Sequence, residues 1–298
     1  MYHILDLQFQ GYEHAIASFL IESEEGPILI ETGPYSTFSH LEKGLAKYGY
    51  SASDVKHVLL SHIHFDHAGA AWAFARAGAK IYLHPFGLHH MHDPTKLVAS
   101  ASMIYGDKMD VLWGKMEGIA SENLVAMEHE QRLSIGGEDF IPLHTPGHAK
   151  HHIAWQWGEA IFTGDLAGVK IDNGPVVPPC PPPDINLEDW NDSIDLVLSK
   201  KPTSLVLTHY GEETEPVKHM EAMKEMLNDW GFWIKSKWEE GYSNKEITPL
   251  FMKYTATQLK ERGVSEQGIH QYEAANPSWM SVAGLVRYWK KKKELNYS

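Results

Sequence analysis

Leu59-Leu60-Ser61-His62-Ile63-His64-Phe65-Asp66-His67-Ala68-Gly69 places four metal-ligand side chains, His62, His64, Asp66 and His67, within six positions. The apolar run His57-Val58-Leu59-Leu60 before them reads as a buried strand. Small residues and an apolar helical pattern follow, as far as Ala77. The ligands are therefore expected on a loop between a strand end and a helix start. Rigid elements then hold both ends of the loop while its side chains converge. The bland alternative is a polar turn that is rich in histidine by chance. Ligands at other strand ends would reject it.

A chain of 298 residues suits one large domain, or a domain with an appended subdomain. The net charge is −13 with histidine neutral, which argues against nucleic-acid binding, because that binding needs a basic surface to displace counterions. Cys180 is the one cysteine, so an intrachain disulfide is impossible and a thiolate zinc site is not expected. It lies in Pro178-Pro179-Cys180-Pro181-Pro182-Pro183 and reads as a bystander thiol in a stiff loop. No basic segment followed by an apolar core opens the chain, and no apolar run of about 18 residues occurs, so the expected setting is cytoplasmic without a membrane span.

Residues 4–10, 15–22 and 27–31 read as a meander of strands ended by Thr32-Gly33-Pro34. Phe38, Leu41, Leu45 and Tyr48 fall at helical spacing. Residues 80–84 form a further short strand. Residues 95–119 carry Met and aromatic side chains without a strand period and read as an inserted helical segment. Short strands resume at Leu124 and cover 131–135, 137–144, 152–157, 160–163 and 204–208. Asn186 caps a helix over 186–200. His89, His90 and His92 follow Pro85-Phe86-Gly87 and read as solvated or structural residues, with a place in a site rim as the alternative. After Gly211 the pattern is helical. Val217 to Trp238 marks a long amphipathic helix, Ser243 and Glu246 form a capping box, and Trp279 to Trp289 mark the last helix. The expected division is 1–211 and a helical subdomain over 212–298. Strands interleaved with few helices favour two packed sheets with helices outside, an α+β arrangement.

Three later strand ends each supply a ligand: Thr145-Pro146-Gly147-His148, Thr163-Gly164-Asp165 and Thr208-His209-Tyr210-Gly211. With the first loop they make five histidines and two aspartates, too many for one tetrahedral zinc and suited to two adjacent metals. Imidazole mixed with carboxylate fits zinc, with iron or manganese as alternatives.

These motifs together resemble the metallo-β-lactamase superfamily of hydrolases over residues 1–211. The resemblance implies an αββα four-layer sandwich with the metals at one edge. It implies that His62, His64 and His148 bind one metal, that Asp66, His67 and His209 bind the second, and that Asp165 bridges them. One position departs: Glu31-Thr32-Gly33 stands where the family has Asp-Thr-Gly, so the carboxylate behind the ligands has a longer reach.

The implied chemistry is hydrolysis of an ester, thioester, lactone or amide of a small molecule by a bridging hydroxide. Asp66 would take up its proton. Tyr210 and His151, both neighbours of ligands, are candidate donors to the leaving group. The tail supports a likeness to glyoxalase II-like thioesterases. Asp165-Leu166-Ala167-Gly168 lacks the tyrosine that lactonases of the superfamily carry there. A mononuclear iron enzyme acting on persulfides and a non-catalytic metal-binding module are the alternatives from other classes. The tryptophans of the tail could cover the pocket or join two copies as a homodimer.

Overall fold

The computed structural model describes residues 1–295. The first half contains β1 (Tyr2–Asp6), β2 (Ala17–Ile21), β3 (Ile28–Ile30), α1 (Phe38–Ala46), β4 (His57–Leu59), α2 (Phe65–Ala68), α3 (Ala71–Arg76), β5 (Lys80–Leu83), α4 (Leu88–His92), α5 (Thr95–Tyr105), α6 (Met109–Leu112) and β6 (Leu124–Ala126). The second half contains β7 (Leu133–Ile135), β8 (Glu138–His144), β9 (Ile153–Trp157), β10 (Ala160–Val169), α7 (Leu187–Ser199), β11 (Ser204–His209) and β12 (Gly211–Glu213). Four helices close the described chain: α8 (Pro216–Glu239), α9 (Asn244–Glu261), α10 (Glu266–Ala275) and α11 (Ser278–Leu295).

The strands form two six-stranded sheets, ordered β1-β2-β3-β4-β5-β6 and β12-β11-β10-β9-β8-β7. Both are mixed. In the first sheet β3 to β6 run parallel and the hairpins β1–β2 and β2–β3 are antiparallel. In the second sheet β10 and β11 are parallel and the other neighbours antiparallel.

Alternation along the strands builds the layers, because successive side chains point to opposite faces. Phe19, Ile21, Ile28 and Ile30 face inward and meet Phe140, Trp155, Phe162 and Val206 of the other sheet. Leu20 and Leu29 face outward against Leu41, Leu45 and Phe74 of α1 and α3. Leu205 and Leu207 face outward on the second sheet against Trp190, Ile194 and Val197 of α7. The result is the αββα sandwich. The C-terminal helices continue that outer layer: Met223, Trp230, Phe251, Leu285 and Trp289 belong to the same buried cluster as Trp190 and Leu205.

The structure differs from the sequence reading in three instructive places. Asp66 and His67 lie on the short helix α2, not on a loop, and α3 starts separately at Ala71. Strand β10 does not end at Asp165; it runs on to Val169, with register shifts against β11 between Phe162 and Gly164 and between Gly164 and Val169. Those bulges turn Asp165 without ending the strand. Helix α10 has no counterpart in the sequence reading, because it offers few apolar positions and buries only Tyr272. No helix among the described residues is long and apolar enough to cross a membrane.

Candidate metal centre

The ligand atoms of His62, His64 and His148 lie within 4.8 Å of one another, as do those of Asp66, His67 and His209. Asp165 stands between the two groups. Its Oδ2 is 3.1 Å from His148 Nε2, and its Oδ1 is 3.1 Å from His67 Nε2 and 3.3 Å from His209 Nε2. Each carboxylate oxygen thus faces a different cluster. All seven residues named from the sequence come together.

Hydrogen bonds fix which nitrogen each imidazole presents. His148 Nδ1 is 2.8 Å from the Pro179 carbonyl, and His209 Nδ1 is 2.7 Å from the Ala15 carbonyl. A carbonyl only accepts, so both Nδ1 atoms carry the proton and both Nε2 lone pairs face the centre. His67 Nδ1 lies 3.3 Å from Glu31 Oε1. The same Glu31 carboxylate accepts from the Ser61 backbone N–H at 3.3 Å. The longer side chain of Glu31 therefore does reach the back of a ligand. Its backbone, at φ 62°, lies in the left-handed region that a non-glycine residue adopts only when its surroundings impose it.

A residue that sequence reasoning missed is His152. Its Nε2 accepts from the Asp165 backbone N–H at 3.1 Å. Its Nδ1 must then carry the proton, which it donates to Thr145 Oγ1 at 2.8 Å. His152 is fully buried and holds the bulge that aims Asp165. Gly164 beside it has φ +50°, and a Cβ there would lie 2.7 Å from His152 Nε2 and 2.5 Å from Ser61 Oγ. The signal was present as His148-x-x-x-His152, but nothing in that spacing separates a ligand from its support.

The electrostatics agree with this arrangement. Burial, and then the neighbouring imidazoles, hold His62 and His64 well below the ordinary histidine value. Burial acts the same way on His148. Burial, the largest single influence, opposes the charged forms of His67 and His209 too, but the surrounding carboxylates, Asp165 first, together outweigh it and raise both. Burial would raise Asp165; the charges of His67, His148 and His209 outweigh it and keep the carboxyl well below its usual range.

The donor set fits a cation. His67 Nε2 and Asp165 Oδ1 are buried and face one another without forming a hydrogen bond. Buried polar atoms without partners are rare in folded proteins. Nitrogen lone pairs and carboxylate oxygens aimed at common points, with no thiolate, suit divalent metals.

The two other residues named as donors take different places. The Tyr210 ring stacks on His14 at 4.5 Å and its hydroxyl pairs with Asp6, a structural setting. His151 lies beside the first cluster, with its ring 6.1 Å from His62 and 5.8 Å from His64. Burial, and then nearby imidazoles, lower it to about 3, so it is neutral near pH 7. Its Nδ1 has no hydrogen-bond partner. The inserted helix α5 contributes a phenol that the sequence did not single out. Burial, and then the Asp66 charge, push the Tyr105 hydroxyl up. Its ring packs edge-on to Trp113 at 5.2 Å and to Trp279 of α11 at 5.7 Å. Of the histidines read as solvated or structural, His92 Nδ1 bonds the Ile119 carbonyl at 2.9 Å, and His89 and His90 lie ring against ring at 3.7 Å.

The profile of the metallo-beta-lactamase superfamily matches residues 11–209. The chain belongs to that superfamily. Its members are generally metal-dependent hydrolases. A metallo-beta-lactamase fold-containing protein, ST1585 of Sulfurisphaera tokodaii, is 27% identical over 70% of this chain and 78% of its own length. An N-acyl homoserine lactonase of Bacillus cereus is 34% identical, over 19% of this chain and 32% of its own length. Among solved structures, the metallo-beta-lactamase family protein TTHA1429 of Thermus thermophilus superposes with a TM-score of 0.68 at 18% identity, covering 98% of this chain and 94% of that one. That likeness therefore extends through the C-terminal helices and is one of fold.

Proposed function

We propose that this metallo-β-lactamase superfamily member is a dinuclear hydrolase that cleaves an ester, thioester, lactone or amide of a small molecule. His62, His64 and His148 would hold one divalent ion and Asp66, His67 and His209 the other, with Asp165 shared. Zinc is the ion that best suits this donor set. The observation that carries the reading is Asp165, which offers one oxygen to each cluster. Bound metals would supply a hydroxide near neutral pH and polarise the scissile carbonyl.

The chain's own residues divide the remaining work. Asp66 is 21% exposed, whereas Asp165 is buried, so Asp66 is the carboxylate on the open side of the centre. It is the acceptor for a proton released there. A neutral His151 cannot act as an imidazolium acid, but its unpartnered nitrogen can hydrogen-bond a substrate. Tyr105 carries a phenolic proton, which it directs to Met280 Sδ at 3.2 Å, and would have to turn from there to serve as the donor to the leaving group. Trp113, edge-on to Tyr105, and Phe65, with its ring centroid 5.9 Å from that of Trp113, form an apolar wall beside it.

Metal analysis of the purified protein, together with a panel of esters, thioesters and lactones, tests the reading. Two ions per chain and turnover on the panel are expected. His62→Ala and Asp165→Ala should each lose metal and at least about 100-fold in kcat while remaining folded. One iron per chain with oxygen consumption, or full activity in either variant, would overturn the assignment.

A further inference from the structure

We infer that Asn276 and Ser281 of the C-terminal helices are positioning residues for the metal centre, because they hold the Pro178-Pro179-Cys180 backbone whose middle carbonyl orients His148. The inference rests on the reading of His148 as a ligand.

The link begins at the ligand. His148 Nδ1–H donates to the Pro179 carbonyl at 2.8 Å, and this is what turns its Nε2 toward the cluster. Pro179 in turn sits in a stretch that cannot fix itself. From 178 to 183 every residue but Cys180 is proline. Proline has no N–H, so this segment lacks the donors with which a loop ties its own backbone. Its location must come from donors elsewhere in the chain.

Those donors come from the C-terminal helices. Asn276 Nδ2 donates to the Pro178 carbonyl at 3.0 Å. Ser281 Oγ accepts from the Cys180 N–H at 3.3 Å and donates to Asn276 Oδ1 at 3.2 Å. The residues on both sides of Pro179 are thus gripped by one connected pair of side chains. Upstream, Tyr272 Oη accepts from the Ile171 N–H at 3.0 Å and donates to the Pro175 carbonyl at 2.7 Å. Downstream, Arg287 Nε donates to the Pro183 carbonyl at 3.3 Å. The backbone of α11 lies directly on the loop: a Cβ at Gly284 would come within 2.0 Å of the Cys180 carbonyl oxygen.

The local sequence makes the grip possible. Asn276 is the residue after α10, and Pro277 follows it. A residue before proline is driven out of helical geometry, and Asn276 has φ −141° and ψ 80°. The break between α10 and α11 lets the Asn276 side chain project onto the loop. Asn276 and Ser281 are both buried, so water does not substitute for either bond. The tail is then a component of the metal centre, not an appendage beside it.

The test is metal affinity in the intact chain, measured with Zn²⁺ against a chromophoric chelator, with Co²⁺ spectra to distinguish the two ions. Asn276→Ala and Ser281→Ala should each weaken one of the two ions by about 10–100-fold, the range for losing an outer support of a metal ligand. The other ion should be held as in the parent. Ser281→Thr keeps the hydroxyl and should retain the parent affinity. A support role confined to packing would lower the melting temperature and leave both constants unchanged. That outcome, in Asn276→Ala or in Ser281→Ala should Asn276→Ala not fold, overturns the inference. His148→Ala separates the two levels. If it keeps both metals, the site reading fails; if it loses one while the helix variants lose none, only the inference fails.

Discussion

At the scale of single residues, the ligands were legible because each of them must present a donor atom, and few side chains can. His62, His64, Asp66, His67, His148, Asp165 and His209 all reach one centre. The supporting residues were less legible, since support is a matter of three-dimensional reach. His152 holds the Asp165 backbone from 13 residues away, and its role depends on a bulge that the sequence does not announce. Tyr105 illustrates the same limit for chemistry. It lies far from every motif, yet its hydroxyl feels the Asp66 charge. Tyr210, next to a ligand in sequence, has its hydroxyl on Asp6. Replacing Tyr105 with Phe should therefore lower kcat by about 100-fold, the lower end for loss of a general acid, with KM and metal content near parental values. Tyr210→Phe should leave kcat within about threefold, since it removes no proton from the centre. Steady-state kinetics of both variants on one substrate decide it; equal losses would return the donor role to neither residue.

At the scale of elements, strands were legible from alternation and helix starts from caps. Asn186 caps α7 by accepting from Glu188 and Asp189, and Ser243 with Glu246 forms the capping box of α9, both as the residues suggest. The extent of β10 was hidden because Gly164 reads as a strand end, whereas here a left-handed glycine sits inside a bulge. Helix α7 shows how an element positions the site without supplying a ligand. Ser193 Oγ donates to the Pro146 carbonyl at 2.6 Å, and Trp190 Nε1 donates to the Leu166 carbonyl at 2.9 Å. The Trp190 ring also stands edge-on to His148 at 5.5 Å. One helix thus braces the loops of His148 and Asp165 together. Trp190 is fully buried, so Trp190→Ala should cost about 3–5 kcal/mol of stability. Urea unfolding of the metal-free chain measures that cost. A loss under about 1 kcal/mol would mean that the cavity collapses and the brace lies elsewhere.

At the scale of the whole molecule, buried histidines of the centre and outside it together set how the metal-free fold responds to acid. His84 is buried, and burial followed by the His144 charge lowers it to about 4. His57, His144 and His219 are also lowered, with burial the first cause in each. In the unfolded chain such histidines titrate near about 6.5. Below that pH the unfolded state binds protons that the native state refuses, so native stability is complete above about 6.5 and falls as the pH drops toward about 4. His67 and His209 act in the opposite sense above that pH, because their native values are raised. The metal-free protein should accordingly have a lower urea midpoint at pH 5 than at pH 7. His84→Asn isolates one contribution. His84 Nδ1 accepts from the Phe86 backbone N–H at 3.1 Å, and the asparagine carbonyl oxygen can take over that bond without titrating. The variant should fold, and its midpoint should fall less between pH 7 and pH 5 than the parent's. An unchanged pH slope in His84→Asn would show that the acid response originates in the other buried histidines.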